Sequence, residues 1–383
     1  MINHVIILGN HIQALGISRI ANKLGLTVDL YSDYYLSLTR FSNTCTNFFR
    51  FRDQQDLFEK LLNTKFTAKP LLIPTNDALI KFIDENYEQL AEKFLITQAN
   101  NSVLNACYNK VLTYKTATAY NIPIPASYFP LTEIDVKNIS NSLTFPILIK
   151  PGVMHRLYNS LGKKVFVCKD SEQLIRNYHT ALKYIPKDEI IIQELIEGGA
   201  KNLFSFGCVA INGQIKAGFC VNRLRQNPMD FGISTCYAKT VVNERIEQLT
   251  RSLLGNLNYF GFAEVEFMYD EKINDFKLLE INPRFWKWHS IANKLDINLL
   301  KVMVDFYEGK EIHEKINKIK DIIWVESISD FYILQSEIRK GKISVKESIN
   351  SLRFKTEHAC WSGSDPLPSI MYLILLPYLY YKR

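Results

Sequence analysis

The chain has 383 residues and a mass of 44.4 kDa, enough for two or three domains and a sizeable core. Its composition, 47% hydrophobic and 22% charged with a mean hydropathy of -0.07, excludes a disordered or collagen-like chain, and no internal apolar run reaches the ~20 residues of a spanning helix. The net charge of +7 comes from 46 Lys and Arg against 39 Asp and Glu spread along the chain, which favours anionic ligands without making a nucleic-acid footprint.

Met1 to Gly9 has no basic n-region and no small-residue cleavage site, so it does not read as a signal peptide. The cysteines at 45, 107, 168, 208, 220, 236 and 360 form no C-x-x-C pair, which fits a reducing cytoplasm and makes zinc an unlikely ligand. His4 to Leu8, Ile12 to Leu24 and Thr27 to Tyr31 read as strand, helix and strand, with Gly9 at the first turn and Gly16 in the helix. The G-x-G-x-x-G fingerprint is absent, so the glycines read as tight-turn and packing positions. Pro70 to Pro74 is a buried-type strand, and Thr75-Asn76-Asp77 opens a helix through Leu90. Asp77 is either an N-cap or first-turn acid, or a substrate contact at a strand's carboxyl end.

A helix is expected from Ser102 to Tyr120, ended by Asn121-Ile-Pro-Ile-Pro. Strands follow at 144–150, 164–168, 189–193, 203–211 and 214–221. A helix at 244–257 then leads to a hairpin of Gly261 to Met268 and Phe276 to Ile281. The sequence from about Asp321 reads as a separate tail with its own helices.

The hairpin carries the sharpest chemistry. Period 2 puts Glu280 and Asn282 on one strand face, with Glu266 in reach on the neighbouring strand. Two carboxylates and an amide beside Arg284 make a hard-oxygen site suited to Mg²⁺, and magnesium sites of this kind imply phosphate oxygens. Solvent-facing acids are the bland reading, although runs as apolar as Leu278-Leu279 are poor places for them. Lys150 ends the apolar strand Phe145-Pro-Ile-Leu-Ile-Lys, where an ammonium can meet phosphates or snorkel to solvent. Lys110 is a weaker version on a helix. Gln193-Glu194-Leu195-Ile196-Glu197-Gly-Gly runs from a strand into acids and paired glycines, able to face an adenine edge and ribose hydroxyls. Alternation would aim Arg223 and Arg225 the same way, as a clamp for phosphate or carboxylate or as a solvated pair. His289 reads as a packed histidine or a substrate contact.

In this order, these pieces resemble the ATP-grasp superfamily of carboxylate–amine ligases: Asn109-Lys110, Phe145 to Lys150, Gln193 to Gly199, Glu266, and Glu280-Ile-Asn282-Pro-Arg284. Residues 1 to about 310 are covered. The stretches from Arg223 to Thr235 and from Glu280 to Ser290 look like the branch that contains D-aspartate ligase and carbamoyl-phosphate-synthase-like relatives.

The resemblance implies an α/β and α+β fold: a Rossmann-like N-terminal domain over 1–103, a two-lobed ATP-grasp domain over 104–310 with its smaller lobe at about 122–197, and a C-terminal appendage over 311–383. It implies ATP with Lys110 and Lys150 on its phosphates and Glu194, Leu195, Ile196 and Glu197 at adenine and ribose. Glu266, Glu280 and Asn282 would hold Mg²⁺, with Mn²⁺ as an alternative, and Arg284 would stabilise an oxyanion with help from Arg223 and Arg225. The partners are a small-molecule carboxylate and an amine, with no nucleic acid.

One departure is the segment Pro151 to Gly162, which has only two glycines where many relatives carry a glycine-rich phosphate loop; His155 and Arg156 are expected to substitute as donors. An ATP-binding protein without ligase turnover is therefore the competing function. A βαβ dehydrogenase is the third, and it has no use for Glu280 and Asn282. The C-terminal run Leu367 to Arg383 either docks on the protein's own core or makes peripheral contact with a membrane interface.

Overall fold

The computed structural model describes residues 1–383 except 154–156, 158–159, 233, 352–353 and 382–383, together with the side chains of 378–381. The expectation placed on His155 and Arg156 lies outside the described residues.

Five parallel strands open the chain: β1 (His4–Leu8), β2 (Thr27–Ser32), β3 (Asn47–Arg50), β4 (Leu71–Pro74) and β5 (Leu95–Ile96). They lie in the order β3-β2-β1-β4-β5, the doubly wound arrangement in which ligands collect at the strands' carboxyl ends. Val5 to Leu8 and Leu71 to Ile73 are wholly buried, as expected for parallel strands covered by helices on both faces. At the carboxyl end of β4 the Asn76 side chain accepts the Leu79 amide at 3.0 Å and caps the helix Asp77–Glu85. Asp77 is thus a first-turn acid of that helix.

The expected single helix from Ser102 to Tyr120 is two helices, Asn101–Tyr108 and Lys110–Ala119. Asn109 breaks it. Its backbone is extended, its side chain accepts the Val111 amide at 2.9 Å, and the Lys110 amide donates to the Gly152 carbonyl at 2.9 Å. The break makes Lys110 the first residue of a new helix instead of a mid-helix position.

A four-stranded antiparallel sheet is built from β6 (Ser127–Tyr128), β7 (Ile147–Pro151), β8 (Phe166–Cys168) and β9 (Ile190–Glu194), in the order β6-β9-β7-β8. The helices Glu133–Ser140 and Ser171–Ala181 cover it through Val136, Leu174 and Tyr178.

The larger sheet has eight strands: β10 (Leu203–Ile211), β11 (Gln214–Asn227), β12 (Ser234–Val241), β13 (Gly261–Asp270), β14 (Asp275–Asn282), β15 (Lys315–Ile316), β16 (Ile323–Val325) and β17 (Thr356–His358). Its order is β14-β13-β10-β11-β12-β16-β17, with β15 on β11.

The C-terminal segment is woven into the rest. Three of its strands extend this sheet, and the helix Leu367–Tyr381 returns to the N-terminal core, where Tyr372 and Leu375 join the cluster around the helix Ile12–Lys23. Asp365 anchors that return by accepting Arg19 Nε at 2.9 Å and Ser42 Oγ at 2.7 Å. Among the described residues no helix is long and apolar enough to cross a membrane.

Candidate active site

A cavity of about 620 Å³ opens where the three sheets meet, a volume typical of a small-molecule site. Lys110, Lys150, Glu194, Leu195, Ile196, Glu197, Arg223, Glu266, Glu280, Asn282 and Arg284 all line it. Arg225 does not.

The wall between β13 and β14 follows from strand register. Glu266 stands opposite Glu280, and Glu264 opposite Asn282. The Asn282 amide donates to Glu266 Oε1 at 3.0 Å and Glu264 Oε2 at 3.3 Å, and lies 3.5 Å from Glu280 Oε1. Acids directly opposite each other repel, so cations are drawn in: Lys110 pairs with Glu280, and Arg223 with Glu266.

Burial pushes the Glu266 carboxyl up to about 8, with Glu280 and Glu264 adding to the effect against Arg223. Burial also raises Glu280, but Lys110, Lys164 and Arg223 outweigh it and hold that carboxylate far below its ordinary value. Two acids directly opposite each other on the ladder therefore sit in opposite electrostatic states. Among the described residues no three His, Cys, Asp or Glu side chains make a closed metal cage. Magnesium uses one or two carboxylates completed by water and phosphate oxygens, so Glu266, Glu280 and the Asn282 amide are a fitting donor set.

Lys150 is the second wall. It is 8% exposed, and its ammonium donates to the Tyr114 hydroxyl at 2.6 Å, which in turn donates to the Leu279 carbonyl at 2.9 Å. Burial lowers its affinity for the proton. A buried ammonium whose hydrogen-bond partner is a phenol suits an anionic phosphate.

At the end of β9, the Glu194 carboxylate accepts the Ala126 amide at 2.8 Å and pairs with Lys277, so its side chain braces the strand exit. Gly198 follows in a left-handed turn (φ 111°), where a Cβ would stand 2.0 Å from Asn202 Nδ2. The exposed Glu197 carboxylate lies 3.6 Å from Lys272.

Arg284 donates from Nε to Asp77 at 2.5 Å and reaches Asn282 Oδ1 at 3.3 Å, linking the helix Asp77–Glu85 to β14. Burial disfavours its charge, but Asp77 and Glu264 more than compensate and keep it protonated.

The expected pairing of Arg223 with Arg225 is corrected. The β11–β12 ladder is irregular between Asn222 and Arg225, which breaks strict alternation. Arg223 faces the cavity. Arg225 instead donates Nε and Nη2 to Asp330 at 2.6 and 2.8 Å and stacks 3.6 Å over Tyr237, so its role is to hold the helix Ser327–Arg339.

Two cavity residues escaped the sequence reading. Glu264 lies two residues before Glu266 on the same strand face, a signal that period 2 contained; it also accepts Trp288 Nε1 at 2.9 Å. Lys164 donates to the Gly232 carbonyl at 2.5 Å across the cavity, but in sequence it reads only as the first residue of the strand expected at 164–168.

His289 is packed, not at the cavity. It is fully buried, its Nδ1 is 2.7 Å from the Trp286 carbonyl, and a Cβ at Gly16 would stand 2.6 Å from Nε2. Burial lowers its pKa to about 4. A histidine depressed from ~6.5 contributes stability above that pH and loses it as pH falls through the folded value. The protein should therefore lose about 3 kcal/mol from this group between roughly pH 6.5 and 4. Urea midpoints at several pH values should show a slope in this window that flattens in His289→Gln; an unchanged slope would assign the acid sensitivity elsewhere.

No protein-family model matches the chain. It is 26% identical over 322 residues to the D-aspartate ligase of Enterococcus faecium, covering 78% of this chain and 75% of the relative. It is 21% identical over 252 residues to the C-terminal section of the carbamoyl phosphate synthase large chain of Methanopyrus kandleri, covering 64% of this chain but only 42% of that section. Among solved structures, the biotin carboxylase domain of Hydrogenobacter thermophilus 2-oxoglutarate carboxylase, in complex with MgADP and bicarbonate, superposes with a TM-score of 0.65 at 14% identity, covering 84% of this chain and 72% of that one. That likeness establishes the architecture. In sequence the chain is thus similar to carboxylate–amine ligases of the ATP-grasp type, and in fold to a nucleotide-binding structure of that type.

Proposed function

We propose that the protein is an ATP-dependent ligase that activates a carboxylate as an acylphosphate and joins it to an amine, with an amino acid as one substrate. The observation that carries this reading is the convergence on one cavity of the buried Lys150 ammonium, the Glu266/Glu280/Asn282 donor set and the Arg284 guanidinium. The amino-acid assignment draws on the likeness to D-aspartate ligase.

Lys110 and Lys150 take the ATP phosphates, and the strand exit from Glu194 through Leu195 and Ile196 to Glu197 takes adenine and ribose. Glu266, Glu280 and Asn282 would hold Mg²⁺, or Mn²⁺ in its place, whose charge when bound offsets that of the phosphates. The substrate carboxylate oxygen attacks the γ-phosphorus; an O–P bond forms, the β–γ bridging bond breaks, and ADP leaves. The amine nitrogen then attacks the acyl carbon, a C–N bond forms, and the C–O bond breaks to release phosphate. The surplus amine protons pass to phosphate and solvent. Arg284, with Arg223 beside it, stabilises the oxyanion formed between these events. The free cysteines, six of them buried, fit a cytoplasmic protein.

The experiment is ADP release from MgATP with a panel of D- and L-amino acids, hydroxy acids and peptidoglycan precursors as acids and amines. Release that requires one acid and one amine is expected. MgATP binding without stimulated release would favour the binding-only function.

A further inference from the structure

The helix Leu367–Tyr381 spans 15 residues without a charged side chain. A helix apolar all round is ordinarily buried all round, and among its described side chains this one is covered on one side only. Tyr372 and Leu375 are buried in the N-terminal core, whereas Leu367, Ile370, Leu373 and Ile374 are 47, 47, 60 and 62% exposed. Their spacing makes them one outward stripe. The stripe's direction is set by Asp365, which is buried and held by Arg19, Ser42 and the Asn43 amide at 2.7–3.0 Å. Trp361, just upstream, is 55% exposed.

Charge indicates what covers this stripe. The acid nearest to it in the chain, Asp365, is neutralised by Arg19, and the helix packs on the short turn Leu38–Phe41, which carries Arg40. Residues 331–383 hold eight Lys and Arg against four Asp and Glu, and in sequence the helix runs into Lys382-Arg383. Aliphatic side chains flanked along the sequence by tyrosines and basic residues suit a helix lying in a bilayer interface.

The helix is about 22 Å long at 1.5 Å per residue, short of the ~30 Å hydrocarbon core, so it suits a position in the interface plane. Four partly exposed aliphatic side chains also fall short of the ~800 Å² per partner that a stable dimer needs. We propose that this stripe seats the protein reversibly on an anionic lipid surface, the apolar side chains entering the headgroup boundary and the basic residues meeting lipid charge.

The test is flotation of the full chain with vesicles of phosphatidylcholine alone or with about one third phosphatidylglycerol. Binding to the phosphatidylglycerol vesicles, weakened by salt, is expected. The Leu373→Glu/Ile374→Glu variant should keep the wild-type thermal midpoint and lose partitioning at least ~10-fold; Leu373→Ser/Ile374→Ser separates lost apolar area from added charge. Failure of the wild type to float with either vesicle would overturn the proposal, as would equal flotation of the variants. A dimer in sedimentation that the glutamate variant dissolves would assign the stripe to a second copy instead. No nucleotide enters the measurement, so its outcome is independent of the ligase reading.

Discussion

Glu280→Gln is expected to lower MgATP-dependent ADP formation by about 10³-fold, a loss of roughly 4 kcal/mol of transition-state stabilisation. Glu280 is the acid that Lys110, Lys164 and Arg223 hold ionised, so of the proposed donor set it is the carboxylate that bears charge across the working pH range. The amide keeps the size and one acceptor oxygen but supplies no charge to a cation. The fold should survive, because removing one of three clustered carboxylates relieves its repulsion with Glu264 and Glu266 while Lys110 keeps the amide oxygen. ADP release together with urea unfolding checks both halves. Turnover within tenfold of wild type would remove Glu280 from the site.

The second large effect is on stability. Asp330→Ala should destabilise the protein by about 3–5 kcal/mol, because it strands the Arg225 guanidinium in a place where both side chains are almost fully buried. Replacing both partners with apolar residues, as in Arg225→Met/Asp330→Leu, should recover most of that loss, since a buried pair exchanged for packed hydrophobes is often neutral. Turnover should persist in the double variant, whereas Arg223→Met should impair it, since Arg223 alone of the two faces the cavity. If the double variant folds but loses turnover, Arg225 belongs to the chemistry after all.

These two residues show where the sequence was readable and where it was not. Glu280 and Asn282 share a face because strand periodicity is local, and a carboxylate inside Leu278–Ile281 has few bland uses. The same periodicity already contained Glu264. Lys150 was legible as the polar end of an apolar strand. Arg223 and Arg225 were misread as a pair because an irregular ladder at 222–225 depends on how β12 docks, and nothing local encodes that. The break at Asn109 was written in its capping side chain, but helical periodicity on both sides masked it. Strands as short as Ile323–Val325 and Thr356–His358 carry too few residues for a period-2 pattern; they join the large sheet through tertiary pairing, which makes the C-terminal segment part of the body rather than a tail.

The claim on which the rest depends is that a carboxylate becomes an acylphosphate in this cavity, and hydroxylamine trapping tests it most directly. With MgATP, the acid that stimulates ADP release and hydroxylamine in place of the amine, the ligase reading predicts a hydroxamate formed in step with ADP and absent in Glu280→Gln. ADP release with no hydroxamate, or release of AMP in place of ADP, would contradict it.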